Sequence, residues 1–163
     1  MTLPSIEVDD VMDRLAQLEQ TIIDPVSGSA LIAYNNVPYT ISTADMPLFV
    51  NFVAPLTNNE QIGTDDAGRE MRETRTYNAV LYHSPYASGI EGEKLGLLRP
   101  YFKLVYILFD GYPHLNSLDG VIDAKIVSDS GMGTVIFANQ VYYGIRFTIS
   151  VSTRVRRLYK DGD

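Results

Sequence analysis

The chain of 163 residues has no cysteine and no tryptophan, only two histidines, and a single basic residue, Arg14, in its first 66 positions. Each scarcity excludes something. Without cysteine there is no disulfide scaffold, thiol nucleophile, iron–sulfur cluster or Cys-based zinc site, and the composition suits a reducing cytoplasm. The histidines, His83 and His114, have no carboxylate or second histidine at metal-site spacing, so neither is expected to ligate or catalyse. Long hydrophobic runs are also missing. The most apolar stretch, Tyr101–Phe109, lies between Arg99 and Asp110 and falls far short of the ~20 residues that span a bilayer. Met1–Glu7 has neither the basic region nor the apolar core of a secretory leader. A soluble chain that makes no membrane contact is expected. At 45% hydrophobic and 20% charged, the composition is too apolar for a mainly disordered chain. The length suits one domain burying roughly 68–70% of its unfolded surface.

The net charge of −7 argues against a general nucleic-acid binder, which needs clustered cations. The charge is also uneven. Residues 1–66 hold ten acids against Arg14, whereas residues 67–163 hold ten acids and twelve bases. Four of those bases, Arg154, Arg156, Arg157 and Lys160, lie close to the C-terminus. One reading is solubility alone. The sharper one is a subunit with two faces of opposite sign that meet in an assembly.

Hydrophobic spacing predicts the elements. Val8, Val11, Met12, Leu15, Leu18 and Ile22 recur at helical intervals, with acids crowding the first turns, so a helix is expected over about 6–22 with Ser5 as its N-cap. Short extended pieces are expected at Ala30–Tyr34 and Val37–Ile41. Pro47–Val53 reads as a strand opened by proline. Thr57–Glu73 is polar throughout except for Ile62 and Met71, and reads as an exposed loop or an extended hairpin tip, in contact with a neighbour once assembled. Thr74–His83 alternates with both faces partly apolar, which marks a central strand. Ser88 and Glu91 have capping-box spacing ahead of a helix from Ile90 to about Asp110, which Pro100 should kink or divide. Val121–Val127 and Thr134–Phe137 read as strands. The clearest pattern comes last: Ile145, Phe147, Ile149, Val151 and Val155 alternate with polar residues, as in a half-buried antiparallel strand.

Chemical motifs do not emerge. Gly131-Met132-Gly133 lacks the third glycine and the strand–helix context of a dinucleotide loop, and there is no phosphate loop, nucleophile elbow or calcium loop. No catalytic, cofactor-binding or metal residue is assigned. The residues set apart are charged. Glu60, Asp65, Asp66, Arg69 and Arg72 of the polar stretch, with Arg154, Arg156 and Arg157, form the candidate subunit or partner interface. The three C-terminal arginines are expected to meet carboxylates of a neighbouring subunit.

The element order, the proline-opened Met46-Pro47-Leu48-Phe49-Val50 and the closing Val141-Tyr142-Tyr143-Gly144-Ile145-Arg146-Phe147-Thr148-Ile149-Ser150-Val151 together resemble the tail terminator (tail-completion) proteins of tailed bacteriophages. The resemblance covers most of the chain but does not account for residues 24–41 or for Thr57–Glu73. It implies an α+β fold, with a mainly antiparallel sheet flanked by an N-terminal helix and a longer central helix. It further implies a homohexameric ring in the neck of the virion, assembled in the host cytoplasm. That ring would cap the tail tube protein, stop its polymerisation and dock to the head-tail connector, with a sheath as a further partner in contractile tails. DNA would only pass through an acidic lumen, and no cofactor is implied. Another neck or tail-tube protein, or a small-molecule-binding α+β domain, are the alternatives to test.

Overall fold

The computed structural model describes residues 6–160. Helix α1 spans Val8–Glu19. It begins after Glu7, whose backbone N–H donates to Asp10 Oδ2 at 2.9 Å; the suggested cap Ser5 lies outside the described residues. The helix stops earlier than its apolar spacing suggests. Thr21 donates both its hydroxyl (2.6 Å) and its backbone N–H (3.0 Å) to the Leu18 carbonyl, turning the chain as Thr side chains do when they compete with the helix ladder. Ile22 stays buried just beyond the helix.

Strand β1 covers only Ile32–Tyr34. The expected strand at Val37–Ile41 does not form: Pro38 lacks a ladder donor, and the segment instead carries Ile41 onto the sheet's second face. Strand β2 runs Leu48–Thr64 and β3 runs Gly68–Pro85. The polar stretch after Val53 is therefore a long hairpin. Helix α2 occupies Glu91–Gly96 and α3 Arg99–Gly111. The central helical region is divided where proline sits in the first turn of α3, a position at which its missing N–H costs nothing. Ser88 does not cap α2. Ile90 is the N-cap, and the Glu91 carboxylate instead accepts from Tyr86 Oη at 3.0 Å. Strands β4 (Val121–Asp129), β5 (Gly133–Phe137) and β6 (Gln140–Leu158) complete the chain.

The result is an α+β fold built on one six-stranded sheet of order β1-β2-β3-β6-β4, with β5 following β4 along the same side of β6. Only β1–β2 is parallel. Alternation sorts the side chains of the two central strands. Tyr77, Ala79, Leu81, Ile145, Phe147 and Ile149 face the helices and pack with Leu15 of α1 and Val105 and Phe109 of α3. Leu48, Val50, Val80, Tyr82 and Phe137 form a smaller cluster on the other face. There the Tyr82 ring meets Phe137 and Tyr142 edge-on, and its hydroxyl donates to the Ile136 carbonyl at 3.0 Å. Gly144 is required where β6 crosses β3, since a Cβ there would lie 2.0 Å from the Leu81 carbonyl oxygen.

Candidate functional site

Beyond the helix-covered body, three strands continue together as an arm. It consists of the outer half of β2, the first part of β3 and the end of β6. A strand rises about 3.3 Å per residue, so the 17 residues of β2 reach about 56 Å. Most of that strand from Pro55 onward is exposed. The tip is an Asx turn, with Asp65 Oδ1 accepting from the N–H groups of Ala67 (2.8 Å) and Gly68 (3.0 Å). Gly68 permits the close approach of β6, because a Cβ there would sit 2.3 Å from the Arg157 carbonyl oxygen.

The antiparallel register gathers all eight charged residues singled out from the sequence onto this arm. Glu60 stands opposite Arg72, and Arg72 stands opposite Arg154. Arg69 stands opposite Arg157, with its guanidinium 5.8 Å from the centre of the Tyr159 ring. Asp66 lies exposed in the tip. The arginines of β6 find carboxylates within their own chain. Arg154 Nε bonds Glu70 at 2.8 Å, Arg156 bonds Asp65 at 2.5 Å, and Arg157 bonds Glu73. The physical reason is register: β3 carries Arg69-Glu70 and Arg72-Glu73 alongside Arg154–Arg157, so cross-strand neighbours of opposite sign are already within reach. The Arg156 guanidinium holds the Asp65 carboxyl below the usual carboxylate range, aided by the two turn N–H groups. Glu70, Glu73 and Tyr159 belong to this cluster and were missed. The alternating signs of Arg69–Glu73 are the only trace of the two glutamates in the sequence.

At the root of the arm a cleft of about 450 Å³ is lined by Glu70, His114, Asp119, Gly120, Arg154 and Arg156, among others. Arg154 and Arg156 are already engaged by Glu70 and Asp65. His83 lies elsewhere, its ring 5.8 Å from that of Tyr101, and burial together with nearby Lys94 lowers its pKa. Among the described residues no three His, Asp or Glu side chains are grouped to hold a metal ion, and no helix is long and apolar enough to cross a membrane.

Two acids, Asp24 and Glu19, are buried in the body. Asp24 accepts from Tyr101 Oη at 2.6 Å and from the backbone of Val26 and Ser27; these bonds outweigh its burial and keep its pKa low. Glu19 is fully buried, and burial pushes its pKa to about 8, although Asn51 Nδ2 donates to Oε1 at 2.5 Å. Glu19 Oε2 and Asn51 Oδ1 have no hydrogen-bond partner among the described residues. A proton on Oε2 turns two lone acceptors into a donor–acceptor pair, so the neutral acid fits the site. Neither acid lines the cleft at the root of the arm. No protein-family model matches the chain, and no curated protein matches it.

Proposed function

We propose that this protein is a structural subunit of a phage tail, a tail terminator whose copies form a ring that caps the tail tube and presents the head-docking surface. The reading rests on the resemblance carried by the element order and by the Val141–Val151 strand. One structural observation supports it: the β2–β3–β6 arm extends a sheet beyond its own core, where it buries little of its own chain. A monomer gains little from such an arm, whereas a subunit gains a surface that differs along its two edges, as a cyclic ring requires. Function is then shape and charge complementarity with the tube, the connector and neighbouring copies, with no bond made or broken.

The test is light scattering coupled to size exclusion, with and without purified tail tubes, together with tail-length measurement in phage lacking the protein. A ring-sized mass or tube-end binding, with abnormal tail lengths in its absence, is expected. A strict monomer that never binds tubes, or finished tails of normal length, overturns the reading.

A further inference from the structure

We infer that neighbouring copies join arm to arm, the outer edge of β2 in one copy running parallel to the outer edge of β6 in the next. This rests on the ring reading above and specifies which edges meet.

Among the described residues both edges are open. β1 covers β2 only at Leu48–Val50. β4 covers β6 only as far as Thr153, after which the Arg154 N–H donates to the Gly120 carbonyl at 2.8 Å. Backbone groups alternate sides along a strand. Arg154 points away from β3, and Tyr159 donates toward it, to the Ala67 carbonyl at 2.8 Å. The N–H and C=O of Arg156 and Leu158 therefore face outward. On β2, Pro55 and the register shifts between Val53 and Asn58 bend the root of the arm, leaving Asn58–Gln61 as the regular stretch available for pairing.

The edges also differ in kind. Natural edge strands are usually shielded by charge, particularly lysine. The outer half of β2 instead exposes Val53, Leu56 and Ile62 (45%, 37% and 42%). Its one charge is Glu60, and it leads to Asp65-Asp66. The β6 edge carries Arg154, Arg156 and Arg157, and the side chains of Arg154 and Arg157 remain about half exposed (54% and 52%) despite their internal partners. Glu60 and Asp66 have no ion-pair partner among the described residues. An acidic edge and a basic edge on one subunit suit a repeating head-to-tail contact and oppose a two-fold one. Direction follows from topology. β2 and β6 are each antiparallel to β3, so they run the same way, and rotation about a ring axis along the arms keeps them parallel. A two-fold dimer through β2 would instead pair β2 with β2, antiparallel.

The absence of native cysteine makes disulfide trapping specific. Within one chain β2 and β6 are separated by β3, placing them about 9.6 Å apart, beyond the roughly 7 Å that a disulfide bridges. A bond between them must therefore link two chains. Glu60→Cys is combined in turn with Arg156→Cys and with Leu158→Cys, the second leaving every arginine in place. Each variant is oxidised alone and on tail tubes, with mass read by light scattering on the same sample. Covalent ladders up to the ring size in either double variant, and none in the single variants, are expected. Ring-sized particles with no interchain bond in either variant overturn the edge pairing and leave the ring reading standing. Monomers with and without tubes overturn both. Disulfide dimers from Glu60→Cys alone replace the parallel contact with a two-fold one.

Discussion

Strand β3 passes through two environments, and the contrast explains most of this molecule. In the body, Tyr77–Tyr82 are almost closed to solvent apart from Asn78, sandwiched between the helix-side core and the smaller second cluster. In the arm the same strand carries Arg69, Glu70, Arg72 and Glu73 between exposed neighbours. The body is held by apolar burial at ~25 cal/mol per Å². The arm is held by ladder bonds and surface ion pairs, which contribute little individually. It also places Arg72 opposite Arg154 and Arg69 opposite Arg157, arrangements that cost stability rather than add it. Apolar burial thus accounts for the body but not for the arm, which is open for the partner contact proposed above.

Substitutions should separate the two regions. Phe147→Ala removes a fully buried ring from the body and should cost about 3–5 kcal/mol in urea denaturation. Ile62→Ala in the arm should stay within about 0.5 kcal/mol. Equal losses would erase the distinction. The two close-approach glycines repeat the comparison with one chemical change. Gly144→Ala drives a Cβ to within 2.0 Å of the Leu81 carbonyl oxygen and should cost about 1–3 kcal/mol globally, as overpacking does. Gly68→Ala meets the Arg157 carbonyl oxygen at 2.3 Å. It should leave the unfolding midpoint near wild type while speeding amide exchange across the arm alone.

Acids in the two regions should respond to pH with opposite sign. Glu19 in the body keeps its proton up to about pH 8 when folded, well above the ordinary value of 4.5 for a free glutamate. Folding takes up a proton across that interval, so stability should fall as pH rises through it, by up to about 1.4 kcal/mol per pH unit. Glu19→Gln should flatten the slope, and a wild-type slope that survives the substitution would remove Glu19 as its source. Asp65 in the arm has a lowered pKa. Its contribution is present above its unfolded value and is lost as pH falls through the folded one. The smallest effect on folding is expected from reversing charge at Arg154, Arg156 and Arg157. The midpoint should hold, while self-association weakens in a salt-sensitive way.

The body was largely legible because burial writes a period into sequence. Ile145, Phe147, Ile149 and Val151 alternate, the stripe from Val8 to Leu18 steps by helical turns, and Pro100 marks the divided helix. The arm was legible only in composition. Thr57–Thr64 has neither apolar alternation nor strong β propensity; it is a strand because β3 pairs with it. The parallel β1–β2 contact left no local signal, and the Val37–Ile41 pattern misled because Pro38 and a polar turn outweighed it. The charged residues of the candidate site were recognised individually. Their pairing depends on a register between positions 84 to 91 residues apart, which no local window contains. That register is why Arg154, Arg156 and Arg157 meet Glu70, Asp65 and Glu73 of their own chain.

The most direct measurement shortens the arm and reads fold and assembly on one sample. Asn58 and Thr74 are cross-strand partners, so replacing residues 59–73 with Asn-Gly closes the hairpin through a two-residue turn and removes the β2 edge that carries Glu60. The expected outcome is a urea midpoint close to wild type together with loss of the ring-sized mass and of tube-end binding. A shortened protein that still assembles, or one that no longer folds, would contradict the division of labour between arm and body.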